Sequence, residues 1–138
     1  MLSDQFSTDF MQVVYRPDLG PLTGRWLRSV TEPELHQGYE ALRQAARHHG
    51  CGYWLVDSRR RTNRSANGPE WVTTQFLPLV QRELGTPLCV CFLVLPDYLI
   101  SLPASAQVTG PGAPVQYTRF LDEGAANAWL AAQQLATT

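Results

Sequence analysis

Apolar positions in the first part of the chain alternate before they settle into a helical period. Residues 10–16 (FMQVVYR) are β-branched and aromatic, and 22–30 (LTGRWLRSV) place Leu22, Gly24, Trp26 and Arg28 on one parity. A PDLGP turn signal separates them, so the pattern predicts a hairpin of two strands. TEPE then supplies a capping box, with Thr31 as N-cap and Glu34 three residues on. Leu35, Tyr39, Leu42 and Ala46 follow at helical spacing, and Gly50 is the expected stop.

Residues 51–57 (CGYWLVD) form an apolar run too short for a helix and are expected to be a strand. Asn67 and Glu70 repeat the capping-box spacing before Val72, Phe76 and Leu79, so a second helix is expected from about Pro69. Pro78 falls inside that pattern, where its missing N–H should bend or split the helix. The segment 88–95 (LCVCFLVL) is apolar throughout, as an interior strand covered on both faces would be. Residues 101–114 are rich in proline and glycine and read as a loop, with 101–107 as the one stretch that could coil into a short helix. A last strand is expected near 115–120, then a helix capped by Asp122 that carries Ala126, Trp129 and Leu130.

The resulting order is β-β-α-β-α-β-β-α. Strands joined through helices run parallel by right-handed crossovers, so the expected architecture is a single α/β domain with a mixed, mostly parallel five-stranded sheet and helices packed on it. Residues 1–9 are read as an N-terminal extension and 10–135 as the domain, in keeping with a 138-residue chain that supports one core.

Composition narrows the chemistry. The formal net charge of −1 offers no global field for nucleic acid or an anionic membrane. All 11 basic residues other than histidine are arginines, which excludes a Schiff-base lysine and a Walker lysine. No apolar run reaches the ~20 residues of a membrane span and the N-terminus lacks the pattern of a signal peptide, so a cytoplasmic protein is expected. Three cysteines make no disulfide framework; Cys89 and Cys91 share one strand face and are expected to be reduced core residues. His48, His49 and Cys51 lie too close along one helix end to converge on a metal, and no GxSxG elbow is present to place a serine nucleophile. No catalytic residue, metal or cofactor is therefore assigned.

The strings YWLVDSR, PEWVTTQFLPLV, CVCFLVLPD and QYTRFLDEGAANAWL, in this order of elements, resemble the STAS-like domains of bacteria, relatives of the sporulation anti-sigma-factor antagonist. The resemblance extends from about Phe10 to Leu135 and rests on hydrophobic pattern and aromatic anchors. It implies a non-enzymatic interaction or regulatory module. In signalling members a serine or threonine in the loop leading into the second helix is phosphorylated by a partner kinase. The matching loop here is DSRRRTNRSANGPE, with Ser58, Thr62 and Ser65 as its hydroxyls and arginines in place of an Asp-Ser-Ser-Gly type of turn.

That loop is also where the residues themselves point. A buried strand ends at Asp57, at the sheet edge where open α/β folds bind ligands, and arginines flank the start of the next helix. The candidate site comprises Asp57, Ser58, Arg59, Arg61, Arg64, Ser65, backbone N–H groups near Gly68, and Trp71 as a wall. Its expected partners are an unidentified protein and, as an alternative, an anionic ligand held by arginine, with homodimerisation left open. The competing expectations are a solvated arginine loop and, for the whole protein, a small apolar-ligand or lipid carrier with 101–114 as its lid.

Overall fold

Leu22, Gly24 and Trp26 do alternate inward, and around them the sheet is built. The computed structural model describes residues 6–15, 20–61, 71–96 and 113–137. Strand β1 (Met11–Tyr15) pairs antiparallel with β2 (Leu22–Trp26). β3 (Tyr53–Asp57), β4 (Leu88–Leu93) and β5 (Val115–Phe120) then join in parallel, giving a five-stranded mixed sheet in the order β1-β2-β3-β4-β5. Among the described residues, three α-helices complete the α/β fold: α1 (Glu32–His49), α2 (Leu77–Leu84) and α3 (Glu123–Thr137).

The second strand is shorter than the alternation suggests. It ends at Trp26, where Leu27 N–H donates to Phe10 O, and residues 28–30 instead lead into α1. β3 and β4 are trimmed likewise, to 53–57 and 88–93. The capping box forms as expected: Glu34 N–H donates to Thr31 Oγ1 (3.3 Å) and Thr31 N–H to Glu34 Oε1 (3.0 Å). Gly50 closes α1 in the left-handed region at φ 62°, which a side chain would strain.

α1 and α2 lie over one sheet face. Leu35, Tyr39, Leu42 and Ala46 are buried there with Met11, Val13, Trp26, Trp54, Val90 and Phe92. Close approach needs the two glycines that face it. A Cβ on Gly24 would lie 2.7 Å from Leu42 Cδ2, and one on Gly38 would meet Trp26 Cη2. Fully burying Leu42 contributes about 2 kcal/mol by area.

β4 is interior and buried at all six positions. Leu88, Val90 and Phe92 join the α1 side, while Cys89, Cys91 and Leu93 face the other way and meet Leu55 with Ala126 and Leu130 of α3. A period-2 strand between two apolar layers shows no polar positions, which is why 88–95 reads as uniformly apolar.

Pro78 neither ends nor splits its helix, which runs on through it after a widened turn. Residues Val72–Phe76 form a π turn in which Leu77 N–H reaches back five residues to Val72 O, and regular α-helix resumes with Pro78 in its first turn. Helix continues through Pro78 although its ring removes one backbone donor, and the widened turn before it makes room where a regular turn would bring the ring against the preceding carbonyl. The second capping box, at Asn67 and Glu70, lies outside the described residues. No helix among the described residues is long and apolar enough to cross a membrane.

Candidate functional site: an ion-pair cluster at the carboxyl edge of the sheet

The parallel register sets Arg25 of β2 beside Asp57, the last residue of β3. Arg25 NH1 donates to Asp57 Oδ2 at 2.9 Å, and the same guanidinium grips Glu123, in the first turn of α3, through NH1–Oε1 (3.0 Å) and NH2–Oε2 (2.7 Å). Arg59 closes the cluster. Its Nε and NH2 donate to Asp57 Oδ1 and Oδ2, both at 2.9 Å, its backbone N–H donates to Oδ1 at 3.1 Å, and NH2 lies 3.6 Å from Glu123 Oε1. Two guanidiniums and two carboxylates thus form a charge-neutral quartet drawn from β2, β3, the loop after β3, and α3.

The Asp57 side chain is only 11% exposed, so its ionisation is set by the balance of burial and bonding. Burial raises its pKa, and the side-chain and backbone hydrogen bonds from Arg59, with the Arg25 pair, outweigh it, so the carboxyl titrates below its ordinary value. The Arg25 hydrogen bond holds Glu123 low against a smaller burial effect. Both arginines are pushed up by the same contacts, Arg25 first by Glu123 and Arg59 first by Asp57. All four groups therefore stay charged across the neutral range.

The loop residues fall into distinct positions. Ser58 is buried, and its N–H donates to Leu93 O, tying the ends of β3 and β4 together. Arg60 is exposed. Arg61 is 8% exposed with its guanidinium carbon 5.3 Å from the Trp26 ring centroid, packed inward as a cation over an aromatic face. Thr62, Arg64, Ser65 and Gly68 lie outside the described residues, as do residues 97–112, which include most of the anticipated lid. Trp71 joins an aromatic group on the α1 side, with ring centroids 4.0 Å from His36 and 5.3 Å from Phe76. Of the expected site, then, Asp57 and Arg59 meet in the cluster, while Arg61 and Trp71 pack against the core on the opposite sheet face.

The histidines and cysteines are committed to separate neighbours. His48 packs on Phe6, His49 stacks on Tyr15 at 4.2 Å, and Cys51 Sγ donates to the Gly20 and Tyr53 carbonyls. Burial pushes the thiols up, Cys91 to about 12.

Arg25 and Glu123 were not among the residues singled out from the sequence. The available signal was an arginine on the outward parity of a strand whose Leu22, Gly24 and Trp26 face the core, but its partners are 32 and 98 residues away, and the parallel register and the placement of α3 bring them to it.

A groove runs beside the cluster. α3 packs on β3, β4 and β5, and between it and the β1–β2 hairpin lies a cavity of about 500 Å³, with Val14, Leu55 and Leu130 in its wall and Arg25 and Glu123 at its charged part. A second cavity of about 460 Å³ lies among Tyr15, Gly20, Gly52 and Pro87.

No family model, no curated protein and no solved structure matches the chain.

Proposed function

We propose that the chain is a non-enzymatic interaction or regulatory module of STAS-like type, whose contact surface is the carboxyl edge of the sheet around the Arg25–Asp57–Arg59–Glu123 cluster. The cluster is the observation that carries this reading. Its charges are bonded to one another and locked in one ionisation state, an arrangement suited to presenting a fixed surface and unsuited to passing protons. Exposed apolar side chains adjoin the same edge: Leu95, two residues past β4, is 39% exposed, and Leu121, one past β5, is 44% exposed. Charged and apolar groups side by side are the usual makings of a protein contact.

The order of elements and the five-stranded mixed sheet support the STAS-like resemblance. In this reading a phosphate or carboxylate of the partner is recognised at the segment that follows Asp57, where Arg59 and the exposed Arg60 offer guanidiniums.

Affinity capture from the source organism tests it. The wild-type chain should retain a protein partner that the double variant Arg59→Ala, Arg60→Ala loses, with both chains folded by circular dichroism. Turnover of a generic ester or phosphate that disappears on Ser58→Ala would instead make the chain an enzyme and end this reading.

A further inference from the structure

We infer that the groove between α3 and the β1–β2 hairpin is a binding site for an uncharged amphipathic small molecule, one with an aliphatic or aromatic body and a hydroxyl or amide head. The groove adjoins the ion-pair cluster and shares Arg25 and Glu123 with it, but Asp57, Arg59 and Arg60 are not in its lining, and the inference does not depend on the interaction reading above. The volume, about 500 Å³, is in the range of small-ligand pockets, roughly 300–1,000 Å³. Val14, Pro21, Leu55, Leu130 and Ala131 supply apolar wall, and a body laid against them leaves water.

The choice of an uncharged ligand follows from the charges already there. Among the described residues of the lining, Arg25 and Glu123 are the charged members, and they bond each other through two contacts of 3.0 and 2.7 Å. A ligand carboxylate would have to expel Glu123 from Arg25 or lie beside it as a second negative charge. A ligand cation would face the mirror-image problem with Arg25. The other polar members, Gln12, Thr23, Asn127 and Gln134, are neutral amides and a hydroxyl, which both donate and accept hydrogen bonds. Charge complementarity thus selects a neutral head group, and the wall selects an apolar body.

Three probes of eight carbons each separate the possibilities: octan-1-ol, octanoate and octylammonium, each titrated into the 138-residue chain by amide-resolved NMR. Octan-1-ol should give saturable shifts at Thr23, Leu55, Asn127 and Ala131, and the two ions should bind at least about tenfold more weakly, since neither finds an unengaged counter-charge in the groove. Ala131→Trp, at an exposed helix position, should fill the groove and remove the octan-1-ol shifts while the rest of the spectrum keeps its dispersion; Asn127→Trp is the independent second variant. Octanoate or octylammonium binding as tightly as the alcohol overturns the neutral-ligand assignment. Absence of saturation, shifts centred on Tyr15, Gly52 and Thr86, or full binding by both tryptophan variants overturns the site.

Discussion

Arg25 and Asp57 are direct neighbours across the parallel β2–β3 pair, and their side chains meet at 2.9 Å. The carboxylate serves two guanidiniums at once, since Arg59 holds it through both oxygens. Removing it leaves two adjacent cations sharing Glu123. Asp57→Asn should therefore lower stability by about 1–3 kcal/mol, the usual cost of stripping a largely buried charge partner, as read by urea denaturation.

The same carboxylate gives the pH dependence a direction. Its folded-state pKa lies below the unfolded value, so the unfolded chain takes up the proton more readily. The stabilisation is complete above the unfolded pKa, about 4, and is lost as pH falls through the lower folded value. Glu123 acts in the same sense. Urea midpoints should hold steady from neutrality to mildly acidic pH and drop below about pH 4, and Asp57→Asn should flatten that drop. A midpoint that rises on acidification, or a variant with the wild-type slope, would contradict the assignment.

Neighbouring arginines should differ. Arg61 is packed over Trp26, so Arg61→Ala removes both its aliphatic stem and a cation–ring contact, and should cost about 1–3 kcal/mol. Arg60 is exposed, and its alanine variant should stay within about 0.5 kcal/mol of wild type. Equal thermal midpoints for the two variants would show that the inward packing of Arg61 contributes nothing.

The thiols are expected to be silent in the folded chain. Burial raises all three, and Cys91 reaches about 12, so little thiolate exists at mildly alkaline pH. A chromogenic disulfide reagent should titrate three thiols promptly in denaturant and almost none without it. Prompt native-state reaction of one thiol would place a reactive cysteine at the surface.

The outer edge of β1 is closed by hydroxyls. Ser7 Oγ accepts from Val13 N–H at 2.8 Å and donates to Val13 O at 3.1 Å, while Thr8 Oγ1 accepts from Met11 N–H at 3.0 Å. An uncovered strand edge is a template for pairing with another chain. The double variant Ser7→Ala, Thr8→Val should show concentration-dependent self-association by light scattering where the wild type does not, or shows less.

How far the sequence foretold this depends on the range of the interaction. α1 was legible because every signal lies within one turn of what it signals: Thr31 bonds Glu34, Gly50 bonds Ala46, and Leu35, Tyr39 and Leu42 share a face. β4 was legible because burial on both faces leaves no polar position. The π turn before Pro78 was not, because the choice between splitting, bending and widening is made by packing. The site was half legible. Asp57 and Arg59 are two residues apart and visible as a pair, whereas Arg25 and Glu123 arrive by register and by the placement of α3, which hydrophobic parity does not encode.

The strands occur in the sheet in the order in which they occur in the chain, with no later strand inserted between earlier ones. During synthesis from the N-terminus each new strand can dock on the edge left by the one before it, and nothing already formed has to open. The β1 edge can be closed at the outset, because Ser7 and Thr8 precede it. Growth is then one-sided: among the described strands, each new one to be made covers the edge left by the strand before it. Such a layout shortens the loops to be closed between strand partners, which favours rapid folding and limits the time an open edge is available to other chains.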